Sequence, residues 1–344
     1  MSLADFIREM PKVELHVHME GAIQPETVLQ LAARHNIALP ANTVEGIRNW
    51  YNFTDFPHFV QIYLKISECL RTPDDIELMA REFLKGQAAQ NIRHSEVTYT
   101  PHTHYMQKGL SFADQLAALN RARRWAEAEL GVTMGIITDI SRNVTPEQGM
   151  VTAEWAVSAK EDGVIALGLG GPEVGYPAQR HAAAFDYAWS NGLPCILHAG
   201  ETDSAQSIWN AIRYGKTWRI GHGVRCLEDP TLVAYLREHQ IPLEVSPTSN
   251  IRLKVFPSMA EHALPRLLEE GLYVTINSDD PPMFGTTLTD EYLQAAETFG
   301  WDADLIEKLV FNALRVSLLP DTKKAQLEQQ FKTEFAALRE RYLN

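Results

Sequence analysis

The sequence predicts a single (β/α)8 barrel of the TIM type, and three observations carry that expectation. The chain has 344 residues, a length that suits one such barrel with insertions. Eight short apolar or β-branched runs occur, at roughly 13–19, 94–100, 133–140, 164–170, 194–200, 218–222, 241–246 and 273–279. Stretches of helical period separate them, such as Phe112 to Leu119 and Pro230 to Leu236. Strands alternating with helices imply a parallel sheet, and eight such units imply closure. The alternative, a doubly wound open sheet, usually has fewer strands and a glycine-rich phosphate turn after the first, which this chain lacks.

In chain order, the first run (Val13 to Met19) carries His16 and His18. A long interval separates it from the second run, which predicts a helical insertion between strands 1 and 2. Within it, Trp50 to Pro57 is rich in aromatic residues; Tyr51, Phe53 and Phe56 either roof a site or pack local helices. His102 and His104 follow the second run and are expected at a pocket rim or in solvent. The fourth run ends in Gly168-Leu169-Gly170-Gly171-Pro172-Glu173, whose glycines permit close approach of backbone to a planar ligand. The fifth ends in His198-Ala199-Gly200-Glu201, the sixth in Gly221-His222-Gly223 and the eighth in Ser278-Asp279-Asp280. Pro247-Thr248-Ser249-Asn250, after the seventh, supplies turn chemistry and hydrogen bonds behind a site. Beyond about residue 320 the pattern reads as charged, surface-facing helices. No linker or repeat interrupts the chain, so residues 1–344 are expected to form one domain.

Composition narrows the function classes. Hydrophobic residues at 45% and charged residues at 22% are globular values with ample material for a core. A formal net charge of −13 gives no electrostatic footprint for nucleic acid or an anionic membrane. Cys69, Cys195 and Cys226 are odd in number and far apart, which argues against a disulfide scaffold. The N-terminal residues carry charge where a signal peptide needs an apolar segment, and no run approaches a membrane span. A cytoplasmic location is the expectation.

His16 and His18 lie two residues apart on a strand, hence on one face. Joined by His198 and Asp279 at other strand ends, they give three imidazoles and one carboxylate. That set suits one Zn2+ per chain with an open catalytic position, and Fe2+ or Co2+ are alternatives. Glu201 is placed to shuttle a proton, or else to cap the next helix. His222, between two glycines, is read as orienting the attacking oxygen, and Asp280 as free to bind substrate. No Cys-x-x-Cys is present, which excludes the cytidine-type zinc deaminases. A different metal-dependent hydrolase on the same barrel and a non-catalytic metal-binding protein are the competing classes.

Taken together, Glu14-Leu15-His16-Val17-His18-Met19-Glu20-Gly21, His198-Ala199-Gly200-Glu201, Gly221-His222-Gly223 and Ser278-Asp279-Asp280-Pro281 resemble the adenosine deaminase family of the amidohydrolase superfamily. The resemblance implies Zn2+ on His16, His18, His198 and Asp279, and a 6-aminopurine as the small-molecule partner. It further implies that Glu201 protonates purine N1, His222 assists the attacking hydroxide and Asp280 bonds N7. Gly171 would give its backbone N–H to N3. Glu20 stands where the family usually has an aspartate at the ribose 5′-hydroxyl, and Pro172 replaces the aspartate of the usual Gly-Asp-Glu. This pattern resembles bacterial members that deaminate 6-aminodeoxyfutalosine in menaquinone biosynthesis, an adenosine whose 5′ end carries an aryl ketone. Adenosine itself is the alternative, and adenine comes after both.

Overall fold

The computed structural model describes residues 2–343. Its eight strands are β1 (Lys12–His18), β2 (Ile92–Tyr99), β3 (Thr133–Ser141), β4 (Val164–Gly170), β5 (Cys195–Ala199), β6 (Thr217–His222), β7 (Leu243–Val245) and β8 (Val274–Ile276). They form one parallel sheet in sequential order. Closure comes from an isolated bridge between Val17 and Asp279, in which His18 N–H donates to the Asp279 carbonyl at 2.9 Å and Asp279 N–H to the His16 carbonyl at 3.1 Å. All eight predicted runs are strands. Helices cover the outside and side chains fill the inside, so the strands are buried on both faces, as a near-continuous apolar run requires.

The eighth strand is shorter than its run, ending at Ile276. Beyond it, the Asn277 side chain accepts the N–H groups of Leu15 and His16, at 2.9 and 3.1 Å, and takes the place of a ladder carbonyl. Asp279 then adopts a left-handed φ of 65°. That strained turn aims two successive carboxylates at the barrel mouth.

The predicted insertion between β1 and β2 holds four helices: α1 (Pro25–His35), α2 (Val44–Trp50), α3 (Phe56–Ser67) and α4 (Pro73–Ala89). Their starts are written in the sequence. Asp55 caps α3 by accepting His58 N–H, and Thr72 with Asp75 forms a capping box ahead of Pro73. The apolar face of α3 buries Phe59, Ile62 and Ile66. This holds the helix over the C-terminal mouth of the barrel, where active sites of this architecture lie.

After Pro320 there is one helix, Asp321–Tyr342, where several were expected. It is mostly exposed but is anchored by Phe331 and Phe335, which meet Phe6 and Phe311. Among the described residues, no helix is long and apolar enough to cross a membrane.

Candidate active site

One cavity of about 510 Å³ opens at the C-terminal ends of the strands. At its floor the side chains of His16, His18, His198 and Asp279 bring one donor atom each to within 4.8 Å of all the others. Two of the three imidazoles are held from behind. His16 Nδ1 meets Glu244 Oε2 at 2.9 Å, and His198 Nδ1 donates to the Leu169 carbonyl at 2.9 Å, so both turn Nε2 to the centre. His18 Nε2 lies 3.0 Å from His198 Nε2 and 3.2 Å from Asp279 Oδ1. His16 Nε2 is buried with no hydrogen-bond partner. Three nitrogens and a carboxylate crowded so closely, one nitrogen without a partner, are what a divalent transition ion requires. The Ser249 hydroxyl steadies the carboxylate, donating to Asp279 Oδ2 at 2.6 Å.

Burial alone would push His16 down. The nearby Asp279 carboxylate, 3.5 Å from Nε2, and the hydrogen bond and charge of Glu244 outweigh burial and carry it to about 10. His18, against the same burial, is raised to about 9 by Asp280 and Asp279. His198 goes the other way, held well below the usual range by burial and then by its neighbouring imidazoles. In the metal-free protein the protons therefore sit on His16 and His18.

Glu201 is buried in the turn after β5, its Oε1 without a partner and 3.6 Å from His222 Nε2. The helix that follows, Ala205–Gly215, begins at Ser204, so Glu201 is not its cap. Burial, then the charges of Asp279 and Glu173, raises the Glu201 carboxyl well above its usual range. Asp280 is raised likewise, by burial and then by Asp279. In both carboxyls burial beside the donor cluster favours the protonated form.

The tautomer of His222 follows from a chain of hydrogen bonds behind it. Leu264 N–H donates to His262 Nδ1 at 3.0 Å, and burial lowers His262 to about 4, so its proton sits on Nε2. That Nε2–H donates to Asn250 Oδ1 at 3.1 Å, which turns the Asn250 amide nitrogen toward His222 Nδ1 at 3.3 Å. Burial holds His222 neutral, with a pKa of about 3. His222 Nδ1 is therefore the acceptor, and Nε2–H faces the cavity. The residue has a left-handed φ of 62°, and a Cβ at Gly221 would lie 2.7 Å from the His16 ring. The small residue beside His222 is needed for the donor cluster to close.

The remaining predicted residues are distributed unevenly. Gly171, with φ 88°, and Pro172 line the cavity. Glu20 does not. It is buried behind the wall, accepting Thr100 N–H at 3.1 Å, His104 Nε2 at 3.0 Å and the Tyr63 hydroxyl at 3.2 Å. His102 and His104, expected at a rim or in solvent, are both buried, because His104 hydrogen-bonds Glu20 and His102 packs beside Tyr105 and Trp155. Of the three aromatic residues singled out in the insertion, only Phe56 reaches the cavity. Tyr51 is buried with its hydroxyl on the Ile23 carbonyl, and Phe53 packs on Phe59 and Phe284. Helical spacing from Phe56 puts Phe59, Val60 and Tyr63 on the wall instead.

Two acidic residues that the sequence did not single out for the site stand in or beside it. Asp139 of β3 lines the cavity, and burial carries its carboxyl up to about 7 despite His18 nearby. Glu173 lies beneath the Glu201 turn and accepts its backbone N–H groups.

The sequence model of the adenosine deaminase family matches residues 11–334. The chain belongs to the adenosine deaminase family. Aminodeoxyfutalosine deaminase of Streptomyces avermitilis is 38% identical over 337 residues, spanning 97% of this chain and 94% of the relative. The structure of adenine deaminase from Arthrobacter aurescens superposes with a TM-score of 0.90 at 33% identity, covering 94% of this chain and 98% of that one. An amidohydrolase from Burkholderia ambifaria with bound Zn superposes with a TM-score of 0.91 at 25% identity, covering 98% and 93%. As an adenosine deaminase family member this chain is a hydrolytic deaminase acting on purines, and the family's metal dependence agrees with the donor cluster.

Proposed function

We propose that this protein hydrolyses the exocyclic C6–N bond of a 6-aminopurine nucleoside extended at its 5′ end, of which aminodeoxyfutalosine is the example. One Zn2+ would be held by His16, His18, His198 and Asp279. The observation that carries the reading is Glu201, a buried carboxyl with a bare oxygen, pushed toward its protonated form by burial and within reach of four convergent metal donors. The bound ion supplies Lewis-acid activation of water at neutral pH. Zinc rather than another ion is supported by the donor set and by the Zn in the Burkholderia structure.

Glu201 gives its proton to ring nitrogen N1 as the water oxygen adds to C6, which spares the ring a full negative charge. His222 turns Nε2–H toward the attacking oxygen and stabilises charge on it. Asp280, kept neutral, donates its O–H to N7, and Gly171 offers its backbone N–H to N3. Of the two protons of the water, one restores the Glu201 carboxyl and the other passes to the amino group, which leaves as ammonia when the C6–N bond breaks, so that N1–H with C6=O remains. Glu201→Gln should keep the metal and lose kcat on the order of 10²-fold.

The substrate reading rests on the wall of the cavity. Phe56, Phe59, Val60, Leu64 and Leu253 form an apolar rim beyond the reacting end, more than a free base would cover. The Streptomyces relative is named for such a substrate. Adenine is the second reading, favoured by the Arthrobacter neighbour and by Glu20, whose carboxylate is occupied by three donors rather than free for a 5′-hydroxyl. Ammonia release from aminodeoxyfutalosine, adenosine and adenine, in that order of kcat/KM, is the expected result. A preference for adenine selects the second reading, and ammonia from none of them overturns both.

A further inference from the structure

Two buried carboxylates stand side by side at the β2–β3 side of the mouth, and they differ in what they bind. Glu20 is saturated by Thr100 N–H, His104 and Tyr63, and it does not reach the cavity wall. Asp139 is on that wall, 3% exposed, and its Oδ1 has no partner. Its Oδ2 meets only the Thr100 hydroxyl, at 3.4 Å. The neighbouring strand is cut back to make room for it. A Cβ on Gly168 would stand 2.9 Å from Asp139 Oδ1, and one on Gly170 would stand 2.9 Å from Oδ2. Side chains at either position would push the carboxylate out of place, so the glycines of β4 build its slot.

A buried carboxylate oxygen with no donor is costly, and native structures rarely leave one so unless a ligand supplies the donor. The donor in question belongs to the part of the substrate away from the reacting edge, because Glu201, His222 and the metal donors occupy the β1, β5, β6 and β8 ends, whereas Asp139 stands on β3. Around Asp139 the same wall carries Thr100, Thr103, Ser141 and Asn143, a polar band set apart from the apolar rim of α3. Hydroxyl groups on a sugar match such a band, since each O–H needs an acceptor and each oxygen a donor. The vicinal pair of a ribose offers two donors to a carboxylate.

We infer that Asp139 is the residue that reads the sugar, its open oxygen accepting a hydrogen bond from a ribose 2′- or 3′-hydroxyl. This deepens the proposed deaminase function and rests on it. Glu20, where the resemblance placed sugar recognition, instead serves to hold His104 behind the wall and Tyr63 on it.

The test uses adenosine, 2′-deoxyadenosine, 3′-deoxyadenosine and adenine with the zinc-loaded wild type, Asp139→Ala and Asp139→Asn, with metal content and Tm as controls for folding. In the wild type, removing the contacted hydroxyl should lower kcat/KM by about 10- to 100-fold, the size expected when a buried acceptor loses its donor. Asp139→Ala should lose a similar factor on adenosine, mainly in KM, become indifferent to the missing hydroxyl, and keep adenine turnover within about threefold. Asp139→Asn retains a carbonyl acceptor and should fall between. Equal losses on adenine and adenosine, or undiminished discrimination against the deoxy substrates in both variants, would make Asp139 a structural acid and overturn the inference. A wild type active on adenine alone also overturns it while leaving the deaminase standing. A wild type that releases ammonia from none of the four overturns the deaminase reading itself.

Discussion

The Glu173 carboxylate accepts the backbone N–H of Glu201 at 3.1 Å. It accepts those of Thr202 and Asp203 as well, at 2.8 and 2.9 Å, together with Gly200 N–H and the Ser207 hydroxyl. A turn of successive N–H groups wrapped on one anion is rigid, and this turn carries the proposed proton donor. Glu173→Ala should therefore retain zinc yet lose kcat on the order of 10²-fold, because a misplacement of about 1 Å costs that much. Glu173→Gln keeps one acceptor and should lose less. Turnover within about threefold of wild type in Glu173→Ala would mean that the turn holds itself.

Metal loading should release protons. In the metal-free protein His16 and His18 titrate at about 10 and 9, so both are protonated at neutral pH, whereas a metal ligand must be unprotonated. Stripping the protein with a chelator and titrating Zn2+ by calorimetry, in buffers of different ionisation enthalpy, should show up to two protons released per ion at pH 7. The sign follows directly: apparent zinc affinity rises as pH rises toward 9 and falls as pH drops. Uptake with no proton release would place the imidazoles in their neutral forms beforehand.

The strands and the residues at their ends are legible because each strand with its ending is a contiguous stretch of sequence. An apolar run that stops at histidine or aspartate shows both the strand and what it presents at its end. What was not legible is whatever depends on pairing across the barrel. Glu20 is matched with His104, 84 residues away, and its spacing from the zinc motif says nothing of that. The Glu173 contacts with the Glu201 turn are equally remote in sequence. Asp139 did leave a signal, since a lone acid between Ile137 and Ile140 in a buried strand is costly without a purpose. Glu96 and Glu244 left the same signal; they flank buried Arg219, and Glu244 also orients His16. In the insertion, the aromatic composition was read correctly, but the helical phase of α3 decided which rings reach the site.

Asn250 governs His222, and reversing its polarity should reverse the histidine. Asn250→Asp replaces the amide donor with an acceptor, so His222 Nδ1 must carry the proton and Nε2 is left bare toward the cavity. The charge-stabilising N–H is then lost while the shape is kept. We expect kcat to fall on the order of 10²-fold or more with zinc content unchanged, the scale of losing one oriented donor in an active site. Nitrogen chemical shifts of the His222 ring should report the tautomer in both proteins. An unchanged tautomer in Asn250→Asp, with full activity, removes the relay from the mechanism.

The aromatic rim should be felt only by substrates long enough to reach it. Phe56 lines the cavity at the start of α3 and leans on Phe59, their centroids 6.0 Å apart, while Phe59 stacks on Phe284 at 5.4 Å with an interplanar angle of 18°. Phe59 is thus committed to holding α3 in place, and its truncation would report on packing as much as on substrate. Phe56 is the cleaner probe. An aryl group at the substrate's 5′ end would gain about 0.5–1.5 kcal/mol from one aromatic partner beyond simple burial. Phe56→Ala should accordingly lower kcat/KM for a 5′-aryl-extended adenosine by about 2- to 12-fold and leave adenine within experimental error. Equal losses on both substrates would show that Phe56 shapes the reacting end, and no loss on the extended substrate would direct its aryl group elsewhere, toward Tyr176 on the opposite wall.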